Sequence, residues 1–447
     1  MNPPSADAPP ARPQLPSLIG LAAISFLVMF AYAAARPVRD EIAANITSAD
    51  RADLWKWTFV ANLLLAPVYA WFASRSTRSR LLAGVFAFFS LSALGFAFLA
   101  GALRVGDVGY AGLEGAPRLA MESVFYVWLS VFVMLVVSAT WSLASDLVRT
   151  DGAKRLFGPI AAATSLGGIA GAFVTAQLSE AEVGPGPVFV LVSVSLLLAC
   201  VPLFQLERWI AGTPGGGSGS ARIGGTAWSG LVAVARSRYL LAIAGFILLM
   251  TLSSTVVYFT QAELLGGIED RNVRRAFNAK VDLGVNVASL AVQLGVVGWL
   301  MRRTGLGLTL AALPAIAALG LVGLWLLSGR VEGGEITVAE VLLPLGLLLG
   351  AQRVGRYAFA RPAREALYTL VTRDERYKSK SFLDTAVYRG GDVVWGEAYA
   401  SLQGGLGLGV AAIAIWAVPV MGLWLLGALW LGTLAERRRA RLAAAAG

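Results

Sequence analysis

Arginines set inside or at the ends of long apolar stretches are the residues of this chain best suited to chemistry. Arg36, Arg39, Arg353, Arg356 and Arg389, with Lys280, all fall in or beside runs long enough to cross a bilayer. A guanidinium at mid-membrane costs about 2.5–3.5 kcal/mol on insertion scales, so such a residue normally faces a protein interior or a wet cavity. Guanidiniums are planar, permanently charged and bind phosphate oxygens through paired hydrogen bonds. The chemistry they suit is the reversible holding of an anion within a membrane.

Four clusters carry this reading. Arg36-Pro37-Val38-Arg39-Asp40-Glu41 follows an unbroken apolar run, with a proline to disturb the helix where the charges gather. It reads as a substrate-facing group with its ion-pair partners; the alternative is a helix-end anchor with snorkelling arginines. Glu263 ends the seventh apolar run, where it could pair with a cavity arginine, accept a proton or mark the water interface. The tenth run holds Gln352, Arg353, Arg356, Tyr357, Arg361 and Arg364. On an unbroken α-helix Arg353, Tyr357, Arg361 and Arg364 fall within about 80° of one another with Arg356 flanking, and Arg361 and Arg364 are assigned to the adjoining basic loop. In the eleventh run Arg389 and Asp392 lie one turn apart beside Gly390-Gly391, either a substrate site or a pair that locks packing.

Further charges suggest ion pairs or a gate. Lys280 and Asp282 form a candidate structural pair in the eighth run. Asp151 and Lys154 in one loop, and Asp374 and Lys378 in another, are candidates for salt bridges between the halves that close a cytoplasmic gate, and Asp40 is a candidate ion-pair partner at the outer end of the first run. A solvated basic loop is the plainer account of both loops.

The elements that must position these residues are membrane helices. Hydrophobic residues make up 57% of the 447 and charged residues only 14%, with a mean hydropathy of +0.68; soluble domains average about 25% charged. Twelve spans are expected, near 17–37, 54–74, 80–103, 122–147, 157–179 and 186–206, then 239–264, 277–301, 306–328, 338–360, 380–402 and 406–434. The expected organisation is a disordered leader over 1–16, a six-helix half over 17–206, a flexible Gly/Ser-rich linker over 207–238, a second half over 239–434 and a basic tail over 435–447. Lys and Arg are more than twice as frequent in the loops on the N-terminal side as on the other, which places both termini in the cytoplasm. The halves echo each other at offsets from 223 residues (Leu147 to Leu370) to 228 (Trp71 to Trp299), the parallel repeat of a major facilitator-like fold with a site where the halves meet.

The net charge of +10 follows the loops and needs no nucleic acid as partner. The chain has no histidine and a single cysteine, Cys200 within an apolar run, so disulfides, zinc sites and histidine catalysis are excluded; no metal or other cofactor is expected. No enzyme constellation and no Walker A sequence is present, so transport would be secondary or exchange-driven.

The same regions resemble the nucleotide (ATP/ADP) translocases of plastids and intracellular bacteria and their bacterial relatives. The likeness runs from about Ala33 to Leu402. It rests on Arg36-Pro37-Val38-Arg39-Asp40, on Phe125-Tyr126-Val127 leading to Trp141 and Ala153-Lys154-Arg155, on Glu263, on Pro362 to Tyr368 and on Arg389-Gly390-Gly391. The resemblance implies that charged positions used for transport fall on Arg39, Glu263 and Arg389; a fourth, acidic in that family, falls near Ser130, where this chain has no acid.

The expectation is a monomeric, multi-pass protein of the bacterial inner membrane that exchanges nucleotides or related phosphorylated anions by alternating access. Arg36, Arg39, Glu263, Arg353, Arg356, Arg389 and Asp392 are its expected substrate-binding residues. A proton-coupled facilitator for another organic anion or drug, with Glu263 or Asp392 carrying the proton, and a non-transporting membrane partner protein are the alternatives.

Overall fold

Apolar residues in runs of twenty or more leave the backbone no partner in lipid but itself, so helices are the required solution. The computed structural model describes residues 15–100, 115–137, 139–140, 143, 153–211, 227–371, 375, 379–380 and 382–446, and among these the regular structure is entirely helical. The helices are α1 (Leu15–Ala43), α2 (Ser48–Arg75), α3 (Arg78–Leu99), α4 (Ala116–Phe132), α5 (Ala153–Glu180), α6 (Gly186–Ala211), α7 (Ala227–Arg236) and α8 (Arg238–Gly266). They continue with α9 (Arg271–Val292), α10 (Gly298–Glu332), α11 (Val338–Val354), α12 (Arg361–Tyr368), α13 (Tyr388–Gly404) and α14 (Val410–Ala446).

Nine helices among the described residues are long and apolar enough to cross a membrane. The helices over the expected spans 54–74, 277–301 and 380–402 are not among them. Charge accounts for this in α9, which holds Arg271, Arg274, Arg275, Lys280 and Asp282; α13 carries Arg389, Asp392 and Glu397. The described residues form a multi-pass, all-helical membrane protein. Large apolar side chains such as Phe98, Leu319, Leu343 and Trp416 stand exposed, as a lipid-facing surface requires. The expected linker is partly helical, since α6 runs to Ala211 and α7 occupies Ala227–Arg236, and the basic tail continues α14.

Among the described residues four π-helical segments interrupt the helices: Val133–Val137, Gln293–Val297, Gly355–Ala360 and Leu383–Val387. The first and third begin 222 residues apart (Val133 to Gly355), close to the offset of the sequence echoes. Each wide turn shifts the phase of the residues that follow it, and such turns recur at functional sites.

The described residues fall into two compact units. The smaller comprises 1–36, 62–121 and 128–219. In it α3 packs on α6, where the Ser90 and Ser193 hydroxyls lie 2.7 Å apart, and the Trp128 indole donates to Ser92 Oγ at 2.8 Å. Gly167 and Gly171 of α5 face the α1 backbone at Phe26 and Phe30, an approach too close for any side chain, and Thr175 Oγ1 donates to the Ala34 carbonyl at 2.9 Å. Small residues at four-residue spacing are the usual way membrane helices come this near.

The larger unit comprises 37–61, 122–127 and 220–447. Its apolar core joins α8, α10, α11 and α14 through Ile243, Ile247, Leu313, Leu345, Met421 and Trp424. Gly307 of α10 lies against Gly432 of α14, and α10 breaks direction at Gly305, whose φ of 76° suits glycine.

Candidate functional site

Three polar clusters lie in the larger unit, and the sequence-predicted residues divide among them. The first is built on the end of α1. Arg39 donates to Asp40 Oδ1 from Nη2 (2.7 Å) and Nε (3.1 Å), and its guanidinium lies 5.6 Å from the centre of the Tyr126 ring. The Tyr258 hydroxyl also reaches Asp40 Oδ1, at 3.4 Å, and approaches the Tyr126 hydroxyl at 3.0 Å; Trp55 Nε1 donates to Tyr126 at 2.8 Å. Glu41, fully buried, accepts from Arg271 Nε, from Arg274 at 3.5 Å and from the Asn45 amide at 2.8 Å. Arg271 extends to Glu122 at 2.8 Å.

Arg51 completes this cluster. It is buried and donates to the carbonyls of Ala43 (2.9 Å), Ile46 (2.8 Å) and Phe259 (3.5 Å) and to Glu263 Oε1 (3.1 Å). Of the residues expected to bind substrate, Arg39 and Glu263 are therefore held here by partners of opposite charge. Arg51, Glu122, Arg271 and Arg274 are additional members. Their adjacency to helix ends was visible in the sequence, but nothing there assigned one charge to another. Arg36 belongs to the smaller unit.

The second cluster is a buried knot among α8, α9 and α11. Arg353 donates to Asp282 Oδ1 at 2.6 Å and to Gln261 Oε1 at 3.0 Å, and Gln261 donates in turn to Asn278. Asp282 thus has a guanidinium partner, while Lys280 of the expected Lys280–Asp282 pair has an exposed side chain. Arg353 was expected on the wall of a substrate cavity beside Arg356; the π-helical turn beginning at Gly355 separates the two, and Arg353 faces the knot.

The third cluster is a cavity of about 280 Å³. Arg356, Arg361, Arg364 and Arg389 line it with Asp384, Tyr357, Tyr388, Met250 and Ala360. Two π-helical segments supply one wall each: Gly355–Ala360 carries Arg356 and Tyr357, and Leu383–Val387 carries Asp384 and leads into Tyr388 and Arg389. Gln293 Nε2 donates to the Tyr357 carbonyl within the first of these segments at 3.3 Å. Arg361 and Arg364, expected in a loop, lie on this wall in α12.

Among the described residues the cavity lining holds four guanidiniums and one carboxylate. Arg364 Nη2 is 3.4 Å from Asp384 Oδ1, and Arg389 Nη1 is 3.5 Å from Asp392 Oδ2. Among the described residues no carboxylate lies within 4 Å of Arg356 or Arg361. Gly391 packs against Leu248 and Thr251 of α8, whereas Gly390 faces open space. Of the expected gate residues, Asp151, Asp374 and Lys378 lie outside the described residues, as does the side chain of Lys154. Among the described residues no group of three or more acidic or cysteine side chains could hold a metal ion.

No protein-family model matches the chain, and no curated protein matches it in sequence. Solved structures do match in fold. A variant of the nucleoside transporter NupG superposes with a TM-score of 0.63 at 12% identity, over 94% of this chain and 99% of that one. A bacterial homologue of the iron transporter ferroportin, in an inward-facing state, gives 0.62 at 15% identity, over 94% and 100%. A POT family transporter in complex with a thioalcohol-conjugated peptide gives 0.62 at 12% identity, over 94% and 96%. At such identities the likeness is one of fold.

Proposed function

We propose that this protein is a secondary transporter that exchanges phosphorylated organic anions, nucleotides among them, across the bacterial inner membrane. The observation that carries the reading is the cavity with four guanidiniums and one lining carboxylate. So many like charges in one small space within a membrane protein are costly without an anion to meet them. Arg389 and Arg356, expected from the sequence to bind substrate, would grip its oxygens together with Arg361 and Arg364. The resemblance to nucleotide translocases and the fold shared with transporters point the same way.

Exchange follows from the electrostatics. An empty cavity with excess positive charge resists passage through an occluded state, while one neutralised by an anion does not. Movement of the empty carrier is then slow and uptake depends on a counter-substrate. With the termini in the cytoplasm, as the loop charges suggest, α12 and the cavity lie toward the cytoplasmic side. Arg39 and Glu263, in their cluster of ion pairs, would hold the opposite end.

The test is uptake of labelled nucleotide by proteoliposomes. Vesicles preloaded with ATP should take up labelled AMP, ADP or ATP at least about tenfold faster than empty vesicles, and Arg389→Ala should abolish the difference. No uptake by loaded vesicles, or an Arg389→Ala variant equal to wild type, overturns the reading. A second reading follows from Asp392. An anion that captures Arg389 removes its partner, and Asp392 could then take a proton; uptake driven by a pH gradient without counter-substrate would favour that course.

A further inference from the structure

We infer that the cavity is matched in charge to a compact dianion, and that Asp384 is the residue that sets the match. The inference rests on the anion-transport reading and narrows it. Of the four lining guanidiniums, Arg364 has Asp384 at 3.4 Å and Arg389 has Asp392 at 3.5 Å. Arg356 and Arg361 have no carboxylate within 4 Å among the described residues, so the lining guanidiniums outnumber their described carboxylate partners by two.

In a medium that solvates charge poorly, a mismatch in either direction is costly. A monoanion leaves one guanidinium uncompensated. A tri- or tetra-anion brings surplus negative charge against Asp384 and Asp392. The volume points to the same class: about 280 Å³ lies just below the range of about 300–1,000 Å³ typical of pockets for drug-sized ligands. A phosphomonoester carries about −1.5 to −2 at neutral pH and offers three oxygens to forked guanidinium donors. Tyr357, Tyr388 and Met250 supply an apolar and aromatic wall for its organic part.

Asp384 is placed to control this count. Its Oδ1 and Arg364 Nε are both buried without a hydrogen bond, so the pair is loose and electrostatic rather than locked. A third phosphate charge entering the cavity would compete for Arg364 and meet the Asp384 carboxylate. Asp384→Asn keeps the side-chain shape and removes that charge, raising the unbalanced total from two to three.

The experiment is calorimetric titration of the purified full-length protein with AMP, ADP and ATP, above the second phosphate ionisation at about pH 6. Wild type should bind AMP at least about tenfold tighter than ATP. Asp384→Asn should raise the ratio of ADP to AMP affinity by about tenfold, because the charge to be matched goes from two to three while the size of the cavity does not change. Arg361→Gln, at an exposed side chain, serves as the second variant and should weaken AMP by about tenfold. ATP binding tightest to wild type, with the AMP-to-ADP ratio unmoved by Asp384→Asn, overturns the dianion assignment and leaves anion transport standing. Failure of all three nucleotides to bind or to be taken up overturns the transport reading and this inference with it.

Discussion

The buried contact between Arg353 and Asp282 makes a sharp energetic prediction. Their side chains are 9% and 3% exposed, and Nη1 lies 2.6 Å from Oδ1. With charge centres about 4 Å apart, the attraction is about 4 kcal/mol at an effective dielectric of about 20. Desolvation of several kcal/mol per ion offsets most of that, so the pair as a whole adds little net stability. Removing one partner is different, because the burial cost of the other remains. Asp282→Asn leaves the guanidinium without the charge at its Nη1 and should cost about 3–5 kcal/mol. Arg353→Met should cost a similar amount, although Gln261 also loses a donor. The double variant Asp282→Asn with Arg353→Met removes both charges and should cost no more than about 1–2 kcal/mol, a coupling of several kcal/mol. Reversible unfolding in mixed micelles, followed by tryptophan fluorescence, measures all three. Costs that simply add, or an Asp282→Asn variant as stable as wild type, would refute the ion-pair account of this knot.

Further predictions concern the other clusters. Arg51→Met strips hydrogen bonds from the carbonyls of Ala43, Ile46 and Phe259 as well as from Glu263, and should cost at least about 3 kcal/mol in the same assay. Glu263→Gln touches only one of those four contacts and should cost about 1–2 kcal/mol; the opposite ranking would contradict the geometry. Gly391→Ala would push a methyl group onto Thr251 Oγ1 and the Leu248 side chain, for a loss of about 1–3 kcal/mol. Gly390→Ala meets open space inside a helix and should be neutral or stabilise by up to about 1 kcal/mol. Equal effects at the two glycines would remove the argument for close packing at Gly391.

Much of the architecture was legible because lipid imposes simple rules. Runs of apolar residues at Leu18–Ala43, Gly186–Arg208 and Arg238–Gly266 are long enough to span, and they do form helices there. The candidate site was open to the sequence in residue type but not in grouping. A uniform rotation of 100° per residue put Arg353, Tyr357, Arg361 and Arg364 on one stripe with Arg356 beside it. The π-helical turn at Gly355–Ala360 changes that phase. Arg353 goes to Asp282, while Arg356 and Tyr357 share a wall with Arg361 and Arg364. Asp384 carried no signal at all, since its contact with Arg364, twenty residues away in sequence, and its place in the cavity lining arise only in the fold.

Composition and hydropathy alone determined that this chain lives in a membrane as a bundle of helices, because each span satisfies its own backbone and needs no distant partner. The costly arginines among those spans marked where polar partners or water must be supplied, for the same reason of local solvation. Which guanidinium meets a carboxylate and which faces a cavity was decided only by the folded chain. Pairings such as Arg51 with Glu263 and Arg271 with Glu41 join residues more than two hundred positions apart. Electrostatic energy depends on distance and burial in space, and neither is written in the order of the residues.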